Sequence, residues 1–204
     1  MVIDFPLFPL PIVLLPSEVV PLHIFEDRYK AMIARCLEEH SEFGIVWLAD
    51  DGLKEVGCTA QIAEVLERAE DGRMNILVRG RNPFKLLERQ ENLMYPAGKV
   101  ELLEDGPEDV EGFVGEEARE RYADLLEGMT DERPDSGALA ALSAYEMAAS
   151  VEIDPELKQG LLELRSEEER LKMLAALFKE GIVRLERARK VAERARTNGR
   201  VSLQ

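Results

Sequence analysis

Two cysteines and two histidines are the residues best suited to hold a metal. Cys36 and His40 stand one helical turn apart, and His23 and Cys58 complete a set of four soft ligands that could close a tetrahedral zinc site. No close C-x-x-C pair accompanies them. The plainer alternative is favoured: Cys36 packs in a core, as free cysteines commonly do, and His40 ends an exposed helix. The expectation is no metal and no cofactor. The carboxylate runs Glu38-Glu39, Asp50-Asp51 and Glu167 to Glu169 could be acid/base pairs or hard-cation ligands. No partner group completes a catalytic set, and no EF-hand spacing occurs. They read as solvated faces, and the last as a helix first turn, where the dipole favours acids. Neither phosphate-cradling pattern, G-x-x-x-x-G-K-S/T or G-x-G-x-x-G, is present, and neither G-x-S-x-G nor H-E-x-x-H occurs. No catalytic residue is assigned, and the chain is expected not to be an enzyme.

The net charge is −15 over 204 residues. Residues 1 to 105 carry 11 Lys and Arg against 19 Asp and Glu, and the remainder 15 against 22, so both halves are acidic. Long-range attraction to nucleic acid or an anionic membrane is disfavoured. The Arg-rich end (Arg184, Arg187, Arg189, Lys190, Arg194, Arg196) lacks interleaved aromatics for base stacking and reads as a helix C-terminus. Two cysteines without a secretory signal point to a reducing, cytoplasmic setting. No run of about 20 apolar residues suggests a membrane span.

The elements that must position these groups fall in two parts. Residues 27–40 have helical spacing, with Tyr29, Met32, Ile33, Cys36 and Leu37 on one face. Strands are expected over 43–48, 56–66, 74–78, 84–89 and 99–103. Asp71-Gly72 is a hairpin signal and Gly80 to Pro83 a further turn. The acidic stretch Glu104 to Asp109, with Gly106-Pro107, marks a boundary. Beyond it the pattern is helical: 114–129, 138–150, a helix capped by Asp154 with Pro155 at its first position, and a long helix opened by the capping box Ser166 to Glu169 and stopped at Asn198-Gly199. The fold class is therefore α+β, a β-barrel lobe over 1–105 and a helical bundle over 106–204 ending in a long helix.

The opening stretch is the least ordinary. Five of the ten prolines fall in the first 21 residues, and almost only Val, Ile, Leu and Phe separate them. Proline forbids the helix that such an apolar run would otherwise form, and it pushes the preceding residue to extended geometry. The stretch must be a buried, extended ribbon with several corners.

This ribbon, Phe5-Pro6-Leu7-Phe8-Pro9-Leu10, Val13 to Pro16 and Val20-Pro21-Leu22-His23-Ile24-Phe25-Glu26-Asp27-Arg28-Tyr29, resembles the N-terminal domain of the Lon (La) ATP-dependent proteases. Arg35-Cys36-Leu37, Val56 to Ile62, Asn75 to Gly80 and Phe84-Lys85-Leu86 extend the resemblance in order to about residue 103. It implies a PUA-like barrel lobe and a helical lobe, used to recognise proteins. The ATPase and Ser-Lys protease modules of that family are not in these 204 residues, so the expectation is a stand-alone, non-catalytic module. It would bind unfolded segments or a partner protein, with a protease or chaperone among possible partners. Asp27, Arg28, Tyr29, Met94 and Tyr95 are the expected binding surface, with the ribbon as their scaffold. The alternatives are a PUA-like RNA-binding protein, or a scaffold that dimerises through its long last helix.

Overall fold

The computed structural model describes residues 1–90, 93–106 and 112–198. Pro107 to Asp109 of the acidic boundary, the side chain of Arg196 and the stop at Gly199 lie outside the described residues. Six strands, β1 (Val2–Leu10), β2 (Val19–Ile24), β3 (Phe43–Ala49), β4 (Gly52–Arg68), β5 (Met74–Gln90) and β6 (Ala97–Leu102), are joined by one early helix, α1 (Asp27–Glu39). Five more helices follow: α2 (Gly112–Thr130), α3 (Ser136–Ala140), α4 (Ala144–Ala149), α5 (Pro155–Glu163) and α6 (Glu167–Asn198). The class is α+β, as the residue patterns indicate.

The strand order is β2-β5-β4-β3-β1-β6, and β5 also pairs with β6. That extra pairing closes β1, β3, β4, β5 and β6 into a ring, and β2 lies against the first half of β5. Closure removes most of the exposed ladder edges that an open sheet would present. The prolines are accommodated by a partner switch within β1. Residues up to Pro6 pair with β6, and Leu7 to Leu10 pair with β3. Pro6 and Pro9 therefore each have one flank without a ladder partner, where a missing N–H costs little.

The expected turn at Gly80 to Pro83 is not a turn. β5 runs unbroken through it with a bulge, since Ala60 pairs with Gly80 and Cys58 with Pro83. The extra backbone donor is not wasted: Asn82 N–H donates to Thr59 Oγ1 at 3.1 Å. Gly80 is there for close approach. A Cβ at that position would lie 2.0 Å from the Leu15 carbonyl oxygen. The Asp71-Gly72 hairpin is as expected. Gly72 takes φ +83°, and the Asp71 carboxylate accepts the Arg73 N–H at 3.1 Å.

The single helix expected over 138–150 is two. Asp135 caps α3 by accepting from Ala138 N, and the chain then turns before α4 begins. Pro155 does open α5, but the Asp154 side chain makes no capping bond. At α6, Ser166 Oγ accepts from Glu169 N at 3.2 Å, half of a capping box.

Two compact units result. One holds Met1–Gly106 together with Tyr145–Arg165, and the other Pro107–Ala144 with Ser166–Gln204. Composition draws its boundary at residue 105; the stretch Tyr145–Arg165, which carries most of α4 and all of α5, groups with the barrel strands. In the barrel unit the core is built from Leu7, Leu14, Leu15, Ile24, Phe43, Ile45, Ile76, Val78 and Phe84, with Met32, Ile33 and Cys36 of α1. In the helical unit α2 meets α6 through Tyr122 and Phe178, ring centroids 5.4 Å apart. Among the described residues, no helix is long and apolar enough to cross a membrane.

Candidate functional site: an apolar groove on the barrel unit

The end of β1, the end of β2 and the start of α1 converge because the β1–β2 connection folds back sharply. Ser17 takes φ +67°, and Ser17 N and Gly80 N exchange backbone bonds with Gly80 O and Glu18 O, both at 2.9 Å. Between the three elements lies a groove of about 720 Å³. Phe8 to Pro11 line it from the end of β1 and the residue after it, and His23, Ile24 and Phe25 from the end of β2 and the residue after it. Glu26, Arg28 and Tyr29 come from the start of α1, and Leu48, Gly52 and Leu53 from the β3–β4 turn. Arg89 and Pro96 complete the wall.

Two large apolar side chains in this lining are open to water: Phe25 is 58% exposed and Leu48 51%. Apolar groups are normally withdrawn from water, so two of them in one concave surface mark a place where something apolar can bind. The proline-rich wall is rigid and carries few backbone donors. Tyr29 is a fixed part of it: its ring lies 4.1 Å from that of Phe8, and burial pushes its hydroxyl above the usual value, so it stays protonated. Arg28 sits over the Tyr29 ring at 4.6 Å and pairs with Glu26 at 2.8 Å. His23 Nδ1 meets Asn75 Oδ1 at 2.6 Å, and its ring stacks on Phe25. Glu26, Arg28, Tyr29 and His23 are thus engaged in packing and pairing, and Arg89 is exposed in the wall.

Of the five expected surface residues, Arg28 and Tyr29 line the groove. Asp27 does not: its carboxylate is fully in solvent and pairs with Lys30 at 2.7 Å. Met94 is 75% exposed but is not in the lining, and Tyr95 is held beside α1 by a 2.8 Å bond from Arg35 Nη1 to its hydroxyl. Phe25 and Leu48 were not among the expected surface residues, and Phe8 to Pro11 of the ribbon, expected as scaffold, line this groove. The available signal was Phe25 itself, an apolar residue directly ahead of an acidic helix start.

Cys36 is buried in α1 and His40 is the exposed, left-handed C-cap of that helix. Among the described residues, no three His, Cys, Asp or Glu side chains gather as a metal site.

A family model described as the ATP-dependent protease La (LON) substrate-binding domain matches residues 4–180. A Lon protease of Paraburkholderia phytofirmans is 28% identical over 182 residues. That alignment takes in 78% of this chain and 22% of the relative, so the chain spans about a fifth of the protease's length. Two solved structures share the fold. A Lon N-terminal domain protein from Xanthomonas campestris has a TM-score of 0.65 at 24% identity, over 84% of this chain and 96% of that one. The N-terminal domain of the Mycobacterium avium complex Lon protease has a TM-score of 0.63 at 22% identity, over 86% and 97%. With the family model covering most of its length, and with strands and helices arranged as in these domains, this chain belongs to the Lon substrate-binding domain family.

Proposed function

We propose that the chain binds an extended, apolar stretch of polypeptide, of the kind an unfolded protein exposes, in the groove between β1, β2 and the start of α1. Family membership supports substrate recognition in general. The observation that carries the finer reading is the pair Phe25 and Leu48, both about half exposed in one concave wall. Binding there removes apolar surface from water at about 25 cal/mol per Å². It also asks little ordering of a proline-stiffened wall. Glu26, Arg28 and His23 of the groove are already paired or stacked, which supports recognition without a reaction. Two free, buried cysteines support a cytoplasmic setting.

The test is fluorescence anisotropy with a labelled apolar peptide. Replacing Phe25→Ser together with Leu48→Ser should weaken binding roughly tenfold or more, since central apolar anchors dominate such interfaces. Unchanged affinity would remove the groove from the account.

A further inference from the structure

A second depression adjoins the groove and shares Pro11 and Leu48 with it. It has a volume of about 600 Å³ and is walled by Trp47, the Asp50-Asp51 turn and Lys54 on one side, and by α5 on the other. Apolar contact does not account for its chemistry. Asp50, Asp51, Glu156 and Glu163 line it, against one ammonium, that of Lys54.

Two observations say what it accepts. Lys54 Nζ lies 5.5 Å from the centroid of the Trp47 ring and 2.7 Å from Asp51 Oδ2, so an aromatic face and a carboxylate already hold a cation here. Gln159 supplies the second. It is 5% exposed, and its Nε2 donates to the Val56 carbonyl at 3.1 Å and to Glu163 Oε1 at 2.7 Å. Those two bonds use both amide protons and fix the orientation of the group. Its Oε1 is buried and has no hydrogen-bond partner among the described residues. A buried acceptor left without a donor is costly, and native structures keep few of them. The pocket therefore lacks a donor and has carboxylates to spare.

We propose that this pocket takes the guanidinium of an arginine side chain, carried on the same polypeptide whose apolar stretch fills the adjoining groove. The inference rests on the groove reading above and narrows it to apolar segments with an adjacent arginine. A guanidinium suits the site because it is planar, stacks on an indole and presents five donors at once. It can make charge-assisted bonds to the carboxylates of α5, and a small side-chain movement would bring a further N–H to Gln159 Oε1, which is buried as it stands.

The experiment uses the full chain and two peptides that share one apolar segment. One has a flanking arginine; its twin has citrulline, the same shape without the charge. Trp47 is the only tryptophan, so its emission reports on this pocket directly. The arginine peptide should bind about tenfold tighter than its twin at low salt and change the Trp47 emission. The chain carrying Glu156→Gln and Glu163→Gln should lose that preference. Equal affinity of the two peptides for the unaltered chain would overturn the inference and leave the groove standing. A preference that survives in the double variant would also overturn it, since the cation would then be held elsewhere. If neither peptide binds, the groove reading fails, and this inference with it.

Discussion

Glu18 and Lys158, separated by 140 residues of chain, meet side chain to side chain at 2.5 Å, with only 11% and 14% of their surfaces exposed. Glu18 uses its other carboxylate oxygen to accept the Leu15 N–H at 3.0 Å. One side chain thus holds the corner of the proline-rich ribbon and ties it to α5. Lys158→Met leaves that carboxylate shielded and unpaired, and should cost about 3 kcal/mol in urea unfolding. Adding Glu18→Gln, which keeps the acceptor for Leu15, should restore at least half. An equal loss in the double variant would assign the effect to the lysine stem rather than to the ion pair.

Gly80 carries the other side of the same corner. A methyl group there would press on the backbone oxygen of Leu15, which has no rotamer to escape into. Gly80→Ala should cost about 3 kcal/mol or prevent folding, whereas Gly106→Ala, with open space around it, should change stability by less than about 0.5 kcal/mol. Thermal unfolding of the two variants side by side checks this.

The Cys58 thiol is buried in the barrel, and burial pushes it far above its ordinary value of 9.0. The unfolded thiol ionises near that ordinary value, while the folded one stays protonated. Between the two values the unfolded state binds fewer protons, so this contribution is full below about pH 9 and is lost as the pH rises further. The urea midpoint should therefore fall above pH 9, and more shallowly in Cys58→Ala than in the parent chain. Tyr29, raised by the same cause, adds to the fall above its usual 10.0.

The local rules were legible wherever one residue decides one conformation. Asp71-Gly72 made its hairpin and Pro155 opened α5. They failed where a distant partner decides. Gly80 and Pro83 together look like a turn, but Leu15 and Thr59, brought in from other strands, make the same residues a bulge. The helix over 138–150 broke because Asp135 caps one piece, while Ala144 N donates to Glu167 at the start of another. At the candidate groove, Arg28 and Tyr29 were expected as helix-start residues. Phe25 and Leu48 were not; Phe25 has only its place ahead of an acidic helix start to mark it, and nothing local tells that Leu48, at the end of a buried strand, ends outside.

The central claim is that an apolar polypeptide lies between β1, β2 and α1, and photo-crosslinking locates it most directly. A denatured model protein carrying benzoylphenylalanine in its apolar segments is mixed with the chain, irradiated and mapped by mass spectrometry. The account predicts adducts on Phe25, Leu48 and the Pro9 to Pro11 wall, reduced by unlabelled competitor. Competitor-sensitive adducts confined to α2 and α6, or none on the barrel unit, would contradict it.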